Sequence, residues 1–168
     1  RDRSVSRGLG DVYKRQGVLA RISGLFSGKS YNLNSLTVGE TEDTTVSRMT
    51  ISFTSDDRTF EQVKKQLNRS VEVIKVVDYT DIPIHNKEIL FIKVKECNTD
   101  DKDEVFRIAN AFNFKITDYD RKNILVECLQ TENQNNDAIK LFKQSFPNRI
   151  EVVRGGSVAV EAISMSER

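Results

Sequence analysis

The chain reads as an α+β protein made of two tandem copies of one βαββαβ sandwich. From residue 17 onward the apolar spacing switches between a period of 3.6 and a period of 2 in the order helix, strand, strand, helix, strand. The same alternation starts again after a short segment containing Pro83, and copies of about 75 residues fit small tandem domains. With one strand ahead of each first helix, this is the split βαβ, or ferredoxin-like, arrangement.

The elements follow in order. Val18, Leu19, Ile22, Leu25 and Phe26 make one apolar stripe of a helix that ends near Gly28. Tyr31 to Glu40 is strand-like, with Leu33, Leu36 and Val38, and Glu42 to Thr44 form a polar turn. Met49, Ile51 and Phe53 alternate with Arg48, Thr50 and Ser52, the pattern of a half-buried strand. Ser55 and two aspartates start a helix whose apolar face is Phe60, Val63 and Leu67; a β-branched strand, Val71 to Val77, follows. Asp81 to Lys87 reads as a linker.

In the second copy, Ile89 to Val94 is a strand and Val105, Ile108, Ala109 and Phe112 mark a helix face. Phe114 to Tyr119 and Ile124 to Leu129 pair around the turn Asp120 to Asn123. Ala138, Leu141, Phe142 and Ser145 mark a second helix and Arg149 to Val153 a last strand. Arg154-Gly155-Gly156 breaks that strand, leaving Ser157 to Ile163 as a short apolar tail.

Residues 1–16 stand where the first strand belongs. RGLGDVYKRQ has neither strand nor helix periodicity, and Asp11 to Gln16 resembles the translation of a transposon-type sequencing adapter. The segment is therefore read as foreign, with a disordered native tail as the alternative, and the first domain as lacking its authentic first strand. The expected organisation is 1–16 foreign, 17–80 first domain, 81–87 linker and 88–163 second domain.

Composition excludes several classes of function. No stretch approaches the roughly 18 apolar residues that cross a bilayer. The formal charge of +1 gives no basic face for nucleic acid. Five basic residues against two acidic put +3 in the first sixteen positions and leave −2 on the remainder. Val46 to Phe53 offers one aromatic residue and no aromatic-glycine-basic run of the kind RNA-binding sheets use.

Chemistry is also poorly supplied. The one histidine, His85, lies in the linker, and neither Cys97 nor Cys128 has a base or a second cysteine near it in sequence. The cysteines read as small buried hydrophobes. The acidic groups at Glu40 to Asp43 and Asp100 to Glu104 read as a turn and a helix N-terminus rather than as metal ligands. No phosphate-binding glycine loop is present. No residue is assigned a catalytic or metal-binding role.

One feature is suited to binding. A helix beginning at Gly17 presents free backbone N–H groups to an anion, and the glycine lets a carboxylate approach the main chain. Asn32 supplies a donor and an acceptor for an amino acid's polar end. Alone, the same residues also read as a plain helix start and a loop end.

Beyond that pattern, GVLARI, GLF, YNLNSLTVG and SRMTI (Gly17 to Ile51) resemble the small subunit of acetolactate synthase, or acetohydroxyacid synthase. The likeness runs through Gln62 to Leu67, Glu88 to Val94 and Ile150 to Ser157. It implies an N-terminal ACT domain that forms a homodimer and binds valine or a related branched-chain amino acid at the interface. The effector site carried over is Gly17, with the amides of Val18 and Leu19, and Asn32. It also implies a catalytic large subunit as partner, activated and made feedback-sensitive by this chain. Thiamine diphosphate, Mg and FAD are expected on that partner and no cofactor in this chain, in the cytoplasm or an organelle stroma. Two positions depart from the family pattern. Lys14 stands where an asparagine is usual, and Ser30 replaces a glycine before Tyr31. The competing readings are a stand-alone ACT-domain sensor of another enzyme or repressor, and an enzyme with its own site.

Overall fold

The computed structural model describes residues 6–15, 24 and 32–164. The chain forms two compact units: one holds the chain through His85 and again from Ser157, and the other is Asn86–Gly156. In the first unit the strands are β1 (Ser6–Arg15), β2 (Asn32–Glu40), β3 (Val46–Ser55) and β4 (Val73–Asp78), with helix α1 (Asp57–Arg69) before β4. All pairings are antiparallel, in the order β2-β3-β1-β4. The remaining elements are β5 (Ile84–Val94), α2 (Thr99–Phe112), β6 (Lys115–Tyr119), β7 (Ile124–Gln130), α3 (Glu132–Ser145) and β8 (Ile150–Glu161). Their sheet order, β6-β7-β5-β8, is the same permutation, so the repeat inferred from periodicity is a repeat of topology.

Each core follows from strand parity and helix spacing. In the first unit Val12, Met49, Ile51 and Phe53 face Val63 and Leu67 of α1, four residues apart on one helix face. Asp56 caps α1 by accepting from the Thr59 N–H at 2.7 Å. Phe53 stacks on Phe60 at 5.2 Å, which commits the aromatic residue of β3 to the core. In the second unit Leu90, Ile92, Val94, Ile124, Val126 and Cys128 meet Val105, Ile108 and Phe142. Capping boxes start both its helices, Asn98 with Asp101 on α2 and Thr131 with Gln134 on α3. Asp100 and Asp101 therefore sit in the first turn of α2, as the acidic run suggested. Asp120 closes the β6–β7 turn by accepting from the N–H groups of Lys122 and Asn123.

The structure differs from the sequence reading at four places. Residues 6–15, expected to leave a strand position empty, fill it: β1 pairs with β3 from Ser6↔Ser55 to Arg15↔Val46 and with β4 on its other side. The ladder stabilises this segment although alternation is weak, with Val12 in the core and Asp11 buried on the opposite face. Strand β3 is buried on both faces rather than one: Thr50 and Ser52 are 3% and 2% exposed. Residues 157–159 of β8 lie over that second face, where Thr37 and Arg48 hold the Ser157 and Ala159 carbonyls.

Strand β5 begins at Ile84, inside the segment read as a linker. The Arg154-Gly155-Gly156 break is instead the middle of β8. A Cβ on Gly155 would lie 2.6 Å from Ile89 Cγ2, and Gly156 sits at φ 84°, so these glycines let the strand continue against a close neighbour. The helix expected over Val18 to Phe26 lies outside the described residues except for Gly24, which is helical.

Candidate functional site

Of the expected effector-binding residues, Gly17, Val18 and Leu19 lie outside the described residues, as do Ser30 and Tyr31; Asn32 opens β2. The register nonetheless constrains the site. Arg15, two peptide links before Gly17, is opposite Val46, whereas Asn32 is opposite Thr54 at the far end of the same strand. Eight residues of strand span roughly 26 Å. Arg15 and Asn32 of one chain therefore stand at opposite ends of β3. Among the described residues, strand β2 lies at the edge of its sheet with β3 as its one neighbour, leaving a side open to another strand.

The face of this sheet away from α1 carries a polar cluster that sequence reasoning missed. The Asp11 carboxylate, fully buried, accepts from Arg48 Nε, from Thr50 Oγ1 at 2.8 Å and from Tyr79 OH at 2.7 Å. Arg48 Nη2 also reaches Tyr79 OH at 2.7 Å and the Ala159 carbonyl at 3.0 Å. Burial first, then the bond to Asp11 and its charge, push the Tyr79 phenol well above its ordinary range. Burial opposes the Arg48 charge, but Asp11 outweighs it and raises the guanidinium further. A cleft of about 300 Å³ beside this cluster is lined by Thr37, Glu40, Arg48, Thr50 and Val158 to Val160.

The second unit has its own buried charge. Glu88, 2% exposed, accepts at one oxygen from Arg154 Nε (3.0 Å), Arg154 Nη2 (2.8 Å) and Asn135 Nδ2 (3.0 Å). The signal was present in the sequence: Glu88 shares the inward parity of Leu90, Ile92 and Val94, and a carboxylate there needs a partner. Asn135 likewise shares the buried helix face of Ala138 and Phe142.

Little here favours catalysis. Both cysteines are buried and free; burial pushes the Cys128 thiol up to about 12, far from a nucleophilic thiolate. His85 is exposed at the start of β5. Among the described residues no three His, Cys, Asp or Glu side chains come together as a metal site, and no helix is long and apolar enough to cross a membrane.

Two family models match this chain: an "AHAS small subunit-like ACT domain" over residues 11–75 and "Small subunit of acetolactate synthase" over residues 87–163. The acetolactate synthase small subunit of Aquifex aeolicus is 41% identical over 150 residues, covering 89% of this chain and 77% of that protein. The one from Haemophilus influenzae is 35% identical over 144 residues, covering 86% and 87%. The crystal structure of the acetolactate synthase small subunit from Thermotoga maritima superimposes with a TM-score of 0.79 at 30% identity, covering 94% of this chain and 98% of that one.

Proposed function

Since the chain belongs to the acetolactate synthase small-subunit family, we propose that it is the regulatory partner through which a branched-chain amino acid controls a separate catalytic large subunit. The thiamine-dependent condensation of 2-oxo acids, with its thiamine diphosphate, Mg and FAD, belongs to that large subunit. This chain raises the partner's activity and confers feedback inhibition by valine or a close relative. The stand-alone sensor reading is not favoured, because the second domain matches the small-subunit family as the first does.

The observation that carries the site assignment is the register of β1 and β2 on β3. It supports an effector site shared by two copies, with Gly17, Val18 and Leu19 from one and Asn32 from the other, brought together by dimerisation beside the open edge of β2. The dimer is a two-fold assembly in which each site borrows from the neighbour. Inhibition then follows from linkage: the effector binds one arrangement of the dimer more tightly, the catalytic subunit favours the other, and coupling of about 1–3 kcal/mol acts equally in both directions.

Mixed dimers test the shared site. Gly17→Asp blocks the anion site of its own chain and Asn32→Ala removes the amide contact of its own chain. Each variant alone is expected to lose L-valine binding in calorimetry. Co-expressed and purified as the mixed dimer, they are expected to recover one site per two chains. A mixed dimer that binds no valine, with both variants folded, contradicts the shared site.

A further inference from the structure

The second unit carries a cleft that the effector reading leaves unused. Helix α2 ends at Phe112, and Asn113 caps it in the left-handed conformation at φ 58°, a region that asparagine tolerates. The N–H groups of Asn113 and Phe114 both donate to the Ala109 carbonyl, the latter at 2.8 Å, which closes the turn. The turn lays the Phe112 and Phe114 rings side by side, with centroids 5.8 Å apart and planes 23° from parallel. Phe114 is anchored against the core, whereas Phe112 is 57% exposed. On α3, Ala138 and Leu141 recur at helical spacing with Asp137 beside them. With Gln130 at the end of β7 these residues line a cleft of about 460 Å³, within the roughly 300–1,000 Å³ of small-ligand sites.

The charges about the cleft share one sign. Asp137 is the one charged side chain in its walls, and it is exposed. The lysines nearest along the chain, Lys115 and Lys140, are not in the walls, and Lys115 stands opposite Glu127 on β7. The C-terminal end of α2, a partial negative charge, has no basic residue in its last turn, whereas α1 has Arg69 and α3 has Lys143. The stacked phenyl rings offer π-faces that attract a cation within about 6 Å. Gln130 adds an amide carbonyl that can accept from an N–H donor. Carboxylate, helix end and aromatic faces all disfavour an anion, and the apolar walls favour a body without charge.

We infer that this cleft is a binding site for a small organic cation. An ammonium or guanidinium head sits beside Asp137 and the end of α2, and an apolar body lies against Phe112, Phe114 and Leu141. Every residue in its walls lies in the second unit, so the site is independent of the effector reading. Its affinity is modest, because Phe112 and Asp137 stay in contact with water and an exposed charge pair is screened. The aromatic pair selects a cation over a neutral molecule of the same shape, and Asp137 excludes an anion.

The probe is phenethylammonium, with neutral phenethyl alcohol and anionic phenylacetate as controls of similar shape. Each is titrated into the isotope-labelled full chain and followed by amide and phenyl-ring NMR shifts. Saturable shifts are expected at Phe112 to Phe114, Gln130 and Asp137 to Leu141, with a Kd on the order of 1 mM. The neutral and anionic controls are expected to bind at least about fivefold more weakly. Asp137→Asn, at an exposed position, is expected to weaken the cation about threefold and leave phenethyl alcohol unchanged. Phe112→Leu keeps an apolar wall but removes a ring, and is expected to narrow the preference for the cation over the alcohol to about twofold. No saturable shift at these residues by about 20 mM cation overturns the site. Equal affinity for the three probes, or an unchanged preference in either variant, also overturns it, since the cleft would then be an apolar crevice that does not select by charge.

Discussion

Replacing Arg154 with methionine removes a buried charge partner while keeping most of the apolar stem. Glu88 would lose the Nε and Nη2 bonds at 3.0 and 2.8 Å and keep only Asn135 at 3.0 Å. Breaking one side of a buried ion pair typically costs about 3–5 kcal/mol, because the remaining charge is uncompensated. Here the Arg154 side chain is 32% exposed and Glu88 2%, so the low end, about 3 kcal/mol, is expected. With a urea slope of about 1.5 kcal/mol per molar, the midpoint of the second unit should fall by roughly 2 M. The chain has no tryptophan, so far-ultraviolet circular dichroism is the suitable probe. Adding Glu88→Gln removes the stranded charge and is expected to return at least half of the loss. A loss below about 1 kcal/mol for Arg154→Met, or a double variant less stable than the single, would refute this reasoning.

Two other outcomes are expected at separate buried or paired groups. Ser157→Ala deletes a buried hydroxyl that has no partner among the described residues and is expected to be neutral or to stabilise by up to about 1 kcal/mol in thermal unfolding; a loss of that size would mean the hydroxyl has a partner. Asp101 is held below the ordinary carboxylate range by Arg149, whose Nη1 lies 2.8 Å away, and by the Asn98 N–H. Because its folded-state pKa is depressed, its contribution is complete above about pH 4 and lost as pH falls through the folded value. Arg149→Met is therefore expected to cost about 1 kcal/mol at pH 7, the wild-type advantage shrinking below pH 4, and a pH-independent difference would contradict the assignment.

The sequence discloses what depends on local periodicity. Helix faces such as Val63 with Leu67, and strand parities such as Leu90, Ile92 and Val94, are written in the spacing of apolar residues, and they were enough to fix the fold class. What escaped depends on partners distant along the chain. Residues 6–15 are a strand because β3 and β4 flank them, not because their own residues alternate. Thr50 and Ser52 look solvent-facing until residues 157–159 cover them. The glycines at 155 and 156 read as a break because glycine marks both breaks and close approaches, and only the position of Ile89 decides between them. For the candidate site, Gly17 and Asn32 were named from their chemistry and the resemblance, whereas the placement of Arg15 and Asn32 at opposite ends of β3 emerges only from strand register.

The most direct test of the regulatory role is acetolactate formation by the purified catalytic large subunit, measured with and without this chain and across a valine titration. The expected result is no pyruvate turnover by this chain alone, a severalfold rise in rate when it joins the large subunit, and loss of that rise as valine increases. Pyruvate consumption by the isolated chain, or a large-subunit rate indifferent to its presence, would contradict the assignment.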